Sequence, residues 1–319
     1  MNTSGKLFIN NRRLWSWMRA SVLSIGAFSI GVYYERKCHL YADVVAPGPT
    51  TTTTTLNIGT HGDDVIDSPK PSLHGSGSSN NHMAQISRFG FPSMDSLRSY
   101  RNFLLSYDRR NRIANWVLEY VTNDDLNADD YNRKGIEFRE DQSFHRYFRS
   151  TNQDYKGSGY DRGHLAAAGN YRNNPEHIKE TYVLSNIAPQ IGRGFNRDKW
   201  NDLEKYCRRK IRELKSSSGL WICTGPLYLP QKDAVSGKKF IHYEVIGHNH
   251  VSVPTHFFKV LLYPGHNGQW FMECFLMPNQ IINDKTSIHS YRVDPEIIER
   301  SAGILLFNQI PRHQLLINP

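Results

Sequence analysis

Apolar residues are spaced in three different ways along the chain. Residues 20–34 form an unbroken uncharged run, ASVLSIGAFSIGVYY, with Arg19 before it and Glu35 after it. Its 15 residues fall short of the roughly 17–25 that cross a bilayer as a helix. From 46 to about 85 the chain turns polar and repetitive. Thr, Ser, Gly, Pro and Asn dominate there, with no apolar period from which a core could be built. Past Ser87 the pattern becomes dense and aromatic, and a globular body begins.

Within that body, β-branched and aromatic runs bounded by Gly, Pro and Asn predict strands at 114–121, 220–224, 240–246, 257–263 and 270–276. The clearest helix covers 198–215. Trp200, Leu203, Cys207, Ile211 and Leu214 follow at spacings of 3, 4, 4 and 3, which makes one apolar stripe. Asn201, Glu204, Lys205, Arg208 and Arg212 lie off that stripe. A second helix is expected over 295–301. Strands and helices do not alternate regularly, so the fold class expected is α+β, with mostly antiparallel sheets flanked by helices.

Composition adds exclusions. At 319 residues, 39% hydrophobic and 22% charged, the chain is neither a polytopic membrane protein nor collagenous nor disordered throughout. Four cysteines without a CxxC pair rule out a disulfide scaffold and a thioredoxin-type motif. Cys207, Cys223 and Cys274 fall inside apolar stripes or strands and read as buried free thiols.

The net charge of +9 has two sources. Residues 1–34 hold Lys6, Arg12, Arg13 and Arg19 and no acid, as mitochondrial presequences do. A secretory signal is the main rival reading of that leader, and a buried helix a further one. Residues 95–319 still carry 31 bases against 25 acids, which favours an anionic partner. The expected organisation is a mitochondrial presequence with an apolar, anchor-like segment over 1–48, a disordered linker over 49–86, and a globular body over 87–319.

Candidate chemistry concentrates in one order of motifs. Gly159–Tyr160–Asp161–Arg162–Gly163–His164 reads as a strand ending in histidine, residues 181–189 read as a second strand, and Phe195–Asn196–Arg197–Asp198–Lys199–Trp200 opens the strong helix. Such a set suits phosphodiester cleavage. A neutral imidazole can take a proton from water near neutral pH. Mg²⁺ keeps several waters and needs few protein oxygens, so one Asn carbonyl could be enough to hold it. An arginine fork can grip phosphate. Asn196 at a helix start is equally a good N-cap, and Glu204 with Arg208 could be only an i,i+4 ion pair.

DRGHLAAA, TGPLYLP (224–230), VPTHFFKV (253–260) and MPN (277–279) together resemble the DNA/RNA non-specific endonucleases with the ββα-metal finger. The resemblance covers roughly residue 87 to the end. It implies His164 as the general base, Asn196 as the direct Mg²⁺ ligand with Mn²⁺ as a substitute, and Glu204 holding the metal through water. It implies phosphate-assisting roles for Arg162 and Arg208. It further implies cleavage of DNA and RNA to 5′-phosphate ends, a homodimer, and the mitochondrial intermembrane space with relocation to the nucleus and DNA degradation during cell death. The apolar leader would then allow transient inner-membrane association. The family usually reads close to L-N-Q-x-A-W where this chain has FNRDKW, so the neighbours of Asn196 depart from its pattern.

Three alternatives stand beside this: a related mitochondrial exonuclease-type member of the family, a non-catalytic nucleic-acid-binding protein of the same fold, and a secreted scavenging nuclease. His248, His250 and His256 have H-x-H spacing but no thiolate or carboxylate set to complete a zinc site. Arg292 and Arg312 read as solvated.

Overall fold

Seven strands account for most of the core. The computed structural model describes residues 77–127, 135–214, 218–265 and 268–317, with the predicted presequence and most of the predicted linker outside that range. The first strands are β1 (Leu97–Ser99), β2 (Phe103–Asp108) and β3 (Ile113–Thr122). The pair β4 (Tyr160–His164) and β5 (Ile187–Ile191) follows, then β6 (Gly219–Leu227). Two short ladders join β7 (Gln231–Lys232) to β8 (Lys239–Phe240) and β9 (Val245–Ile246) to β10 (Val251–Ser252). The last strands are β11 (His256–Pro264), β12 (Trp270–Pro278) and β13 (Leu315–Ile317). The main sheet runs β1-β2-β3-β6-β11-β12-β13, antiparallel except for the final parallel pair. This is the α+β arrangement expected.

The helices are α1 (Gly77–Ile86), α2 (Asn123–Leu126), α3 (Asn152–Tyr155), α4 (Pro175–Thr181), α5 (Lys199–Glu213) and α6 (Pro295–Ala302). Trp200, Leu203, Cys207 and Ile211 of α5 are buried on the sheet, as their stripe predicts. Leu214 falls just past the helix end and is only partly buried. Pro295 at the first turn and Gly303, at φ 67°, delimit α6. Cys207, Cys223 and Cys274 are buried free thiols.

The central strands are buried on both faces, which explains their near-continuous apolar runs. The face under α5 nevertheless carries charge. Glu119 on β3 accepts hydrogen bonds from Asn170 Nδ2 at 3.0 Å and the Tyr171 hydroxyl at 2.7 Å. Lys259 on β11 donates to Thr224 Oγ1 at 2.6 Å and lies 4.9 Å from the Trp200 ring. Glu273 on β12 accepts from the Tyr206 and Tyr263 hydroxyls and from Arg292. Ionisable groups are tolerated this deep only when hydrogen-bonded in this way, burial raising the Glu119 carboxyl pKa to about 7, and these ties lock α5 and the 168–171 segment in register on the sheet.

Four expectations need correcting. The stretch 240–246 is not one strand; only its ends enter the two short ladders, and residues 241–244 are exposed, so aromatic content there reflects surface rather than sheet. Residues 181–189 hold the end of α4, a 3-10 turn at Leu184–Asn186 and only the start of β5. The ordered body starts before Ser87, since α1 occupies the end of the stretch read as linker, with Ile86 buried and the Gln85 carbonyl accepting from Trp221 Nε1. Arg292 and Arg312 are not merely solvated: Arg292 reaches buried Glu273 at 2.6 Å, and Arg312 pairs with Glu299 at 2.8 Å.

Candidate active site

Strands β4 and β5 pair antiparallel, with Tyr160 opposite Ile191 and His164 opposite Ile187, and α5 follows within eight residues. The unit is thus β–β–α. Its close packing depends on Gly163, where a Cβ would lie 2.1 Å from Oε1 of fully buried Gln190. The turn from β5 into α5 needs Gly194 at φ 86°, a conformation that side-chain-bearing residues rarely adopt. Asp198 occupies the cap position of α5, and its carboxylate accepts from the Gly194 amide at 2.5 Å.

Asp198, not Asn196, stands at the cap position, though its carboxylate bonds the preceding turn and not the helix amides, and the Asn196 side chain is turned to other work. Its Nδ2 donates to Asp161 Oδ2 at 2.9 Å. Asp161 is itself gripped by Arg197, whose Nε and Nη2 lie 2.7 and 2.5 Å from the two carboxylate oxygens. The Arg197 guanidinium holds the Asp161 carboxyl below the usual carboxylate range. With its nitrogen committed, the Asn196 amide has its carbonyl oxygen as the branch available to a cation.

His164, Ala168, Asn196, Arg197, Asn201 and Glu204 line one cavity of about 280 Å³. The fold brings His164 at the end of β4, Asn196 in the turn and Glu204 one turn into α5 to a single polar space. The His164 ring meets Tyr182 edge-on at 4.7 Å between centroids and packs against Phe138 at 5.4 Å. Arg208 lies beyond this space, buried, with Nη1 3.5 Å from Asn170 Oδ1 and 3.8 Å from Glu204 Oε2. It is an interior contact and not a surface pair.

Arg162 lines neither this cavity nor the next one along α5. Its guanidinium lies 5.1 Å from the Phe138 ring and 5.9 Å from the Tyr155 ring. Arg162 stands two residues before His164 on β4, on the same face of the strand, and packs against the ring that touches His164. Asp161, Arg197 and Asn201 are site residues without a role in the motif reading. Asp161 sits inside DRGH, and Arg197 is one of the departures from the family pattern, so the signals were present but carried no partner.

A single amide oxygen and a single carboxylate facing a polar cavity fit a hard divalent cation that keeps most of its water. Among the described residues no group of three or more His, Cys, Asp or Glu side chains gathers as an all-protein cage.

The family pattern of the DNA/RNA non-specific endonucleases matches residues 82–313. The chain belongs to that family. As an endonuclease it is 47% identical over 228 residues to mitochondrial endonuclease G of Caenorhabditis elegans, covering 71% of this chain and 73% of the relative. It is 43% identical over 226 residues to the human protein of that name, with coverage of 71% and 74%. Among solved structures, the EndoG/EndoGI complex, a study of EndoG inhibition, is similar at a TM-score of 0.71 and 49% identity. That likeness covers 74% of this chain and 95% of the solved one. The motif resemblance thus holds at the level of the whole body, and the chain is a nuclease whose family implies a divalent metal.

Proposed function

We propose that this endonuclease hydrolyses phosphodiester bonds of DNA and RNA with Mg²⁺, Mn²⁺ substituting, and leaves 5′-phosphate and 3′-hydroxyl ends. The observation that carries the reading is the convergence of His164, Asn196 and Glu204 on one cavity, with the Asn196 amide oriented by Asp161. His164 takes a proton from the attacking water, whose oxygen adds to phosphorus as the bond to the 3′-oxygen breaks. The 3′-oxygen leaves and acquires a proton. Asn196 directly, and Glu204 through water, would hold Mg²⁺, whose charge would stabilise the phosphate oxygens and the leaving oxygen. Phe138 and Tyr182 pack against the imidazole, and Arg162 packs against Phe138. Arg208 contributes positive charge beside Glu204.

The names of the worm and human relatives, with the basic acid-free leader, support a mitochondrial protein. We assign it to the intermembrane space as a homodimer. Its leader would give transient inner-membrane association, and DNA degradation in cell death would follow its relocation to the nucleus. The division into presequence over 1–48, linker and nuclease body belongs to the same reading, with the linker ending at α1.

The test is covalently closed plasmid and a structured RNA, each incubated with the full chain with and without Mg²⁺. Nicking of the closed circle, which offers no ends, distinguishes this reading from an exonuclease-type member. Ligatable nicks establish 5′-phosphate and 3′-hydroxyl products. Failure to nick with any divalent cation, or ends that ligase rejects, would overturn it.

A further inference from the structure

A second cavity of about 320 Å³ opens beside the catalytic one. It is lined by Gly169, Arg172, Asn201, Glu204, Lys205, Arg208 and Arg212, and shares Asn201 and Glu204 with its neighbour. One wall is a face of α5, because residues 201, 204, 205, 208 and 212 recur at helical spacing. The other wall is the segment just after DRGHLAAA, where Arg172 Nε donates to the Gly169 carbonyl at 3.1 Å and so is tied to its own wall.

Charge decides what such a space accepts. Arg172, Lys205, Arg208 and Arg212 line the space with one carboxylate, Glu204, which already lies 3.8 Å from Arg208, while Lys205 is shared with Asp202 at 3.3 Å outside the cavity lining. Arg208 is buried, and both of its named polar contacts use Nη1. The cavity is therefore selective for anions, and planar guanidinium forks match phosphate oxygens. Helical rise puts Arg212 about 12 Å along the axis from Glu204, so the positive face leads away from the cleavage point.

We propose that this cavity is a phosphate subsite, holding the phosphodiester immediately adjacent to the one being cleaved. The proposal rests on the phosphodiesterase reading and refines it. A phosphate grip positions a strand without reading its bases, which suits a nuclease that does not select sequence. Arg172, Lys205 and Arg212 then become substrate-positioning residues for which the motif assigned no role.

The experiment uses the full chain with Mg²⁺ and short single-stranded DNA oligonucleotides. One phosphate at a time is replaced by an uncharged methylphosphonate, and every cleavage product is mapped. With wild type, each replacement should suppress cutting at one neighbouring bond, always on the same side, by about tenfold, as expected for losing a charge-assisted contact. In Arg212→Ala and in Arg172→Ala that suppression should shrink to about twofold, with melting temperatures confirming that the variants fold. Arg212 and Lys205 are exposed, so Arg212→Ala and Lys205→Ala keep the test alive if Arg172→Ala does not fold. Neighbouring bonds cut at the unmodified rate by wild type, or full suppression retained in Arg212→Ala, would overturn the subsite. If inorganic phosphate binds wild type and not Arg212→Ala while the neighbouring charge has no effect, the cavity serves a free anion and the subsite is likewise overturned. No cutting of the unmodified oligonucleotide by wild type would instead sink the endonuclease reading itself.

Discussion

Asn196 and Asp161 are joined by a 2.9 Å hydrogen bond from amide nitrogen to carboxylate across 35 residues of sequence. The bond turns a residue with two chemically different ends into one with a defined outward oxygen. Arg197, next to Asn196, clamps the same carboxylate, so a departure from the family pattern has become part of the support.

Asp161→Ala should remove the orientation of Asn196 and raise the Mg²⁺ concentration needed for half-maximal activity. Groups that orient a metal ligand typically contribute about 10–100-fold in metal affinity or activity. Arg197→Ala leaves the Asn196–Asp161 bond in place and should fall by no more than about threefold, because Arg197 is largely exposed. Magnesium titrations of plasmid nicking check this. Equal defects in the two variants, or an unchanged Mg²⁺ requirement in Asp161→Ala, would count against it.

Asn196→Asp keeps an oxygen toward the cation but places two carboxylates side by side, whereas Asn196→Ala removes the ligand. Both should lose most activity, and added Mg²⁺ should partly restore Asn196→Ala. Helix stability should change little in either, since Asn196 lies before both α5 and its cap position. Glu204→Gln should be milder, about 10–100-fold, as expected for a group that acts through water. Melting curves beside nicking rates separate the two effects.

His164→Ala should lower turnover by about 10²–10⁴-fold, the usual contribution of a positioned general base, with nucleic-acid affinity nearly kept. Filter binding with and without Mg²⁺ reads the second half of that statement. Cutting within threefold of wild type would remove His164 from the mechanism.

How much of this was legible beforehand varied with the physics of each position. Strands β3, β6, β11 and β12 announced themselves because they are buried on both faces and so stay apolar throughout. The order of β4, β5 and α5 was visible in the motif spacing. The partner of Asp161 was not, because only the Gly194 turn brings Asn196 and Arg197 back to it. Arg292 looked like any surface base, since nothing in its neighbourhood reveals an acid buried on another strand. The exposed 241–244 segment misled in the opposite direction, its aromatic residues imitating a strand without a sheet to join.

Gly163→Ala should disturb the site without altering any side chain that lines the catalytic cavity. The new methyl would lie 2.1 Å from Gln190 Oε1 and 2.2 Å from its Cδ, and Gln190 has no exposed surface into which to retreat. Overpacking of this kind typically destabilises by about 1–3 kcal/mol, several degrees of melting temperature in a body this size. Adding Gln190→Ala should recover much of the loss. A single variant as stable as wild type would show that β4 and β5 can separate without consequence.

The last prediction concerns acid stability. His256 opens β11 between Leu227 and Pro278 of the two flanking strands, with its Nδ1 3.0 Å from Thr255 Oγ1. Burial lowers its pKa to about 4, so the folded protein keeps the imidazole neutral. In the unfolded chain the ring titrates near its ordinary value of about 6.5. Between those two values the unfolded state takes up a proton that the folded state refuses, and unfolding is favoured as pH falls. The stabilisation is complete above about pH 6.5 and is lost as the pH drops towards 4, amounting to about 3 kcal/mol at most. His256→Gln cannot take up that proton in either state. Its urea midpoint should therefore fall less than that of wild type between pH 7 and pH 4.5, while any difference at pH 7 to 8 stays constant. Parallel curves through that window would show that His256 is protonated as readily in the fold as outside it.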